Sequence, residues 1–173
     1  MSKNLVNLII TFLVLIPAQA IFFKNLVLYN VSVPFVFIYL IVCLPLSFGT
    51  NVSTLIGFLT GLAVDIMSDT PGVNALSCTI LAFARRPIFR LYTSFEEDLS
   101  GITPNLRHLG PAAYMKYLVT MTLAYSAMVF TIEAFQVFNM TLYLARITCS
   151  TIYSFVIIYA ISMITTKRYG KRL

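Results

Sequence analysis

Few side chains in this sequence are of a type that does chemistry, and they sit where charge is expensive. Asp65, Glu133 and Arg146 each fall inside or at the edge of an apolar run, where a charge must be paired, hydrated or neutralised. Asp65 ends a series at four-residue steps: Ser53, Gly57, Gly61, Asp65. That spacing keeps all four on one helix face, and the G-x-x-x-G pair makes a groove that another helix backbone can approach closely. Asn74, Cys78 and Ala82 repeat the step downstream and offer a complementary face. Two uses of the groove follow, a tight hairpin between these two helices or contact with a partner's membrane helix. Asp65 likewise has two readings. It either bonds backbone N–H groups of the following turn and caps the next helix, or it meets a partner protein or a ligand. The turn between the helices is a dense breaker cluster, Ser68-Asp69-Thr70-Pro71-Gly72, with Asn74 just beyond it. Glu133 and Arg146 lie at similar distances from the turn near Asn139. They are expected to form a buried pair across a hairpin, which makes either one costly to remove alone.

Other chemistry is missing from the sequence. The single histidine, His108, stands beside Arg107 with no second His or Cys at metal-ligand spacing. Cys43, Cys78 and Cys149 all lie in apolar runs and read as small packing residues. There is no GxxxxGK[ST] phosphate loop and no G-x-S-x-G nucleophile elbow. Tyr114, Tyr117, Tyr125 and Tyr143 read as interface anchors and packing residues. The expectation is a protein with no catalytic residue, no cofactor and no metal.

These residues must be positioned by elements built for lipid. Of the 173 residues, 59% are hydrophobic and only 10% charged, against about 25% charged in a soluble domain; the mean hydropathy is +0.88. A membrane helix needs roughly 20 apolar residues. The apolar runs and turn signals predict a single all-α membrane domain with about six spans, near 5–23, 33–48, 52–67, 73–84, 112–138 and 142–165. A cytoplasmic loop covers 85–111, with 87–95 as a short interfacial helix whose arginines face lipid headgroups. The first run resembles a signal peptide, with Ala18-Gln19-Ala20 like a cleavage site, but it continues through Ile21, Phe22 and Phe23 to Lys24 and reads as an uncleaved helix. With six spans and a cytoplasmic N-terminus, the inside carries Lys3, Arg85, Arg86, Arg90, Arg107, Lys116, Lys167, Arg168, Lys171 and Arg172. The outside carries only Lys24 and Arg146. This asymmetry orients the bundle with both termini in the cytoplasm. The net charge of +6 flanks apolar runs instead of lining one basic face, which points to the bilayer and not to nucleic acid.

The stretch 57–76, with Gly61, Asp65, Ser68, Pro71, Gly72 and Ala75-Leu76, resembles MreD, the bacterial rod shape-determining membrane protein family. That family's pattern is a glycine-containing helix ending in Asp, a Ser/Gly/Pro turn, a Gly, and a small-apolar helix. Asp69 departs from it, standing where many members have Gly, and the turn is one residue shorter. The resemblance implies a non-catalytic subunit of the elongation complex in the bacterial inner membrane. Such a subunit works with MreC-like, RodA-like and elongation transpeptidase partners, and with the MreB-like cytoskeleton. It also implies a fold similar to the S-components of energy-coupling-factor vitamin transporters. A small-molecule-binding transporter subunit is accordingly the alternative, with Asp65, Asn74, Glu133 and Arg146 as its candidate polar groups. Helix grooves such as the Ser53/Gly57/Gly61 face would receive partner helices, and the basic loop and tail would meet anionic lipid or cytoskeletal protein.

Overall fold

The computed structural model describes residues 12, 14–19, 32–93, 103–104, 106–134 and 140–170. Residues 14–18 are helical. Five helices follow: α1 (Ile38–Val42), α2 (Thr50–Ser68), α3 (Val73–Tyr92), α4 (Leu106–Ala134) and α5 (Met140–Gly170). No extended strand occurs among the described residues. The order of packing follows the chain, with α2 against α3, α3 against α4 and α4 against α5, while α1 is enclosed by α2, α3 and α4.

Three segments are long and apolar enough to cross a bilayer: Thr50–Ser68, Leu109–Glu133 and Met140–Thr165. At 1.5 Å per residue, the 19 residues of α2 reach about 29 Å, close to the thickness of a hydrocarbon core. Large apolar side chains point outward from these helices, among them Leu55, Phe58, Ile66, Ile152, Val156 and Ile164. Polar residues such as Ser53, Thr60, Thr122, Ser126, Ser150 and Ser154 are turned inward. Helices that expose many large apolar side chains and bury several hydroxyls fit a helical membrane protein.

The spans near 52–67 and 142–165 correspond to α2 and to most of α5, which continues to Gly170. The segment at 33–48 departs from the expected span. Residues 33–35 have no regular secondary structure, only Ile38–Val42 is α-helical, and 43–48 is mostly turns and bends. Two prolines account for the break. Pro34 biases the residue before it away from helix. Pro45 has no N–H to return to the carbonyl of Ile41, the bond a continuing helix would make. Irregular backbone at membrane depth survives only where it is enclosed by protein, and residues 34–42 are all buried. The segment is core rather than a lipid-facing span.

The loop expected at 85–111 is also corrected. α3 runs on through Pro87 to Tyr92, so there is no separate interfacial helix beginning at 87. Its inner face continues through Leu81, Arg85 and Phe89, all buried, and the Phe89 and Tyr117 rings meet edge-on at 5.7 Å. That packing outweighs the local cost of Pro87. The next helix starts at Leu106 and is interrupted at Gly110 (φ 75°, ψ 161°), after which Pro111 begins the long regular stretch. The span expected at 5–23 is described only at 12 and 14–19, and residues 135–138 of the expected fifth span lie outside the described residues.

Candidate functional site

The hairpin of α2 and α3 is held closest along its glycine face. A Cβ added to Gly57 would lie 2.6 Å from the Ala82 Cβ and 2.7 Å from the Cys78 carbonyl oxygen. At Gly61 the obstacle is backbone itself, the Ala75 Cα at 2.5 Å. Helix α3 therefore fills the groove, and the Asn74, Cys78 and Ala82 face is its complement. Of the two uses weighed for this face, packing within the hairpin is the one the structure contains, and no opening is left there for a partner's helix. Ser53, at the start of the same stripe, is buried and donates to the carbonyl of Phe48 at 3.4 Å.

The next step on that face is Asp65, which is 5% exposed. One turn beyond it the chain reverses. Asp69 adopts a left-handed conformation (φ 55°) and its N–H bonds back to the Asp65 carbonyl. Gly72, also left-handed (φ 79°), occupies the N-cap of α3 and has no side chain with which to cap it. The first N–H groups of α3 would be orphaned. Asp65 supplies the missing acceptor from the neighbouring helix. One carboxylate oxygen accepts from the Asn74 N–H at 3.0 Å, from the Asn74 side-chain amide at 3.0 Å and from the Thr70 hydroxyl at 2.7 Å. The other accepts from the Ala75 N–H at 2.8 Å. A negative charge at a helix N-terminus also meets the favourable end of the helix dipole.

Asn74 extends the cluster into the core. Its amide nitrogen donates also to Thr70 Oγ1 at 3.0 Å, and its amide oxygen accepts the hydroxyl of the buried Tyr125 on α4. Donors and acceptors of Asp65, Thr70, Asn74 and Tyr125 are thus matched within one network, the condition under which a buried polar group is stabilising. Ser68 is half-buried, while Pro71 and Gly72 are exposed at the turn.

Beside the network lies a cavity of about 190 Å³, lined by Ser68, Thr70, Val73 and Asn74 of the hairpin, by Gln19, Val33, Phe35 and Phe37, and by Val64, Val129, Phe130 and Glu133. The Gln19 amide donates to the Pro34 carbonyl at 2.7 Å and accepts from the Val36 N–H at 3.0 Å. It thereby fixes the irregular piece of chain that contributes Val33 and Phe35 to the lining. Two of the polar residues expected to converge, Asn74 and Glu133, line this cavity; Asp65 points instead into the α3 N-terminus, and Arg146 is not part of the lining. The expected buried pair is corrected as well. Glu133 is exposed and Arg146 half-buried. Arg146 is near enough to lend Glu133 its positive field, but no ion pair within 4.0 Å joins them among the described residues.

The opposite end of the bundle holds a feature that the sequence places in the cytoplasmic loop. Arg85 is fully buried. Its guanidinium donates to the carbonyls of Ile41 (3.2 Å), Leu44 (2.6 Å) and Pro45 (3.1 Å). Arg86 donates to those of Leu46 (2.8 Å) and Phe48 (3.0 Å). Five carbonyls freed by the break after α1 are thus taken by two neighbouring arginines. At the other side of the break, Ser150 and Ser154 of α5 accept the N–H groups of Val33 at 3.0 Å and Phe35 at 2.8 Å. Tyr114, Tyr117 and Tyr125, read from sequence partly as interface anchors, are all fully buried. The one signal for Arg85 was the adjacency of two arginines to the end of an apolar run, and it fits a membrane boundary equally well. Comparison with family models, curated proteins and solved structures finds no match to this chain.

Proposed function

We propose that this chain is a non-catalytic scaffold subunit of the bacterial cell-elongation complex, an MreD-type protein of the cytoplasmic membrane with both termini in the cytoplasm. It supports lateral peptidoglycan synthesis and cell shape through helix contacts with MreC-like, RodA-like and elongation transpeptidase partners, and its basic cytoplasmic end faces an MreB-like cytoskeleton. The observation that carries this reading is the segment 57–76. The residues that resemble the family are the ones that close the hairpin: Gly61 at the tightest approach, Asp65 as the acceptor for α3, and Gly72 at its N-cap. Because α3 occupies the glycine face, partner helices meet the outward faces of the bundle, where Leu55, Phe58 and Leu62 are exposed. The test is co-expression with an MreC-like protein and purification from mild detergent. Stable co-elution is expected; two well-expressed proteins that elute separately would overturn the proposal.

A second reading, an S-component-like small-molecule binding subunit, is favoured by the cavity, which brings Asn74 and Glu133 to one wall. A small molecule that copurifies, or one that raises the melting temperature, supports it.

A further inference from the structure

The cavity beside the hairpin has a chemical bias, and we propose that it binds the ammonium group of a small organic cation. This inference rests on the small-molecule reading of the cavity and is independent of the scaffold reading. Glu133 is the only charged residue in the lining. The other polar side chains there are largely committed. The Gln19 amide is bonded at both its nitrogen and its oxygen. Asn74 donates twice and accepts once, and Thr70 both donates and accepts. Among the described residues neither Glu133 nor the Ser68 hydroxyl has a hydrogen bond, so these are the acceptors left for a guest, and only the carboxylate carries charge.

The apolar walls favour the same class. Phe35, Phe37 and Phe130 line the space, with the Phe35 and Phe130 rings 6.0 Å apart and tilted by 58°. An aromatic wall can hold a cation through the ring quadrupole, and an anion would meet the carboxylate unfavourably. A further negative charge, Asp65, stands directly behind Asn74. Arg146 offsets part of the Glu133 charge from the α5 side but does not enter the lining. The volume of about 190 Å³ equals the liquid share of about six waters. That is room for a compact amine, not for a large cofactor. The ammonium group belongs either to a free amine or to an ethanolamine phospholipid headgroup.

The test uses the full chain in lipid-free detergent micelles, with benzylammonium and the neutral benzyl alcohol titrated by calorimetry. Benzylammonium is expected to bind about tenfold more tightly, a difference of about 1.4 kcal/mol, and Glu133→Gln should bring the two ligands to within about twofold. Because Glu133 is exposed and Gln has its shape, the variant should melt with the wild type when unliganded, and this control separates loss of binding from loss of fold. Equal binding of the two probes overturns the cation proposal while leaving the cavity a binding site. Binding of neither overturns both. Val73→Phe, which narrows the cavity, should weaken both probes; unchanged binding would show that they sit elsewhere and would overturn the assignment. Ethanolamine phospholipid added to the micelles distinguishes the sources, since a headgroup ligand displaces benzylammonium and an unrelated lipid does not.

Discussion

The two ends of the bundle meet the same difficulty with opposite charges. At the turn end, helix α3 begins without a capping side chain of its own, and Asp65 accepts its N–H groups. At the other end, the broken segment around α1 leaves carbonyls unpaired, and Arg85 and Arg86 donate to them. The ends differ in completeness. Every side-chain polar atom in the Asp65, Thr70, Asn74 and Tyr125 network has a partner, whereas Arg85 Nε, Arg86 Nε and the Tyr117 hydroxyl are buried with none among the described residues. The carboxylate end is a closed circuit. The guanidinium end tolerates leftovers because Arg has more donors than the site needs, and of the three carbonyls it serves only that of Pro45 has a second donor, the Phe48 N–H at 3.3 Å.

The largest effect should come from the contact that admits no adjustment. Gly61→Leu sets side-chain atoms against the α3 backbone, and we expect a loss above about 4 kcal/mol, the range reserved for severe core disruption. The variant should fail to yield a monodisperse species in detergent. Removing the guanidinium comes next. Arg85→Met keeps much of the length and removes the charged donor from the buried carbonyls of Ile41, Leu44 and Pro45, with an expected cost of about 3–5 kcal/mol by analogy with breaking a buried charged contact. Arg85→Lys should recover only part, because an ammonium cannot reproduce the planar fork. Asp65→Ala should cost about 2–3 kcal/mol, combining a lost cap with unpaired buried N–H groups. Thermal unfolding in one detergent ranks these variants, and an Asp65 effect exceeding that of Arg85 would reverse the comparison between the ends. Smallest, and opposite in sign, is Asp69→Gly. Asp69 holds a left-handed backbone that glycine adopts without steric cost, so the change should stabilise by about 1 kcal/mol and raise the melting temperature.

The same contrast explains what was legible in the sequence. Asp65 lies within ten residues of everything its carboxylate bonds. Helix periodicity and turn chemistry sufficed to place it on the small-residue face and to offer capping as a role. The Asp69 departure from the family pattern also falls on a position whose backbone explains a preference for Gly. Arg85 finds its partners 40 to 44 residues away, beyond any local rule. Hydropathy misjudged 33–48 for a related reason, since it measures how apolar a segment is and not whether its backbone is continuous. Arg146 acts on Glu133 through its positive field only, and the exposure of Glu133 depends on neighbours that spacing does not reveal.

The bond between Phe35 and Ser154 spans 119 residues, and it has a consequence for biogenesis. At a synthesis rate of about 5–20 residues per second, roughly 6–24 s separate the emergence of these two partners. Throughout that interval the N–H groups of Val33 and Phe35 lack the hydroxyls that later receive them, and for roughly 2–9 s the carbonyls around Pro45 wait for Arg85 and Arg86. The segment cannot settle in lipid as an independent span during that time. It is a late guest in its own bundle, its N–H groups satisfied only when α5 brings Ser150 and Ser154 against it.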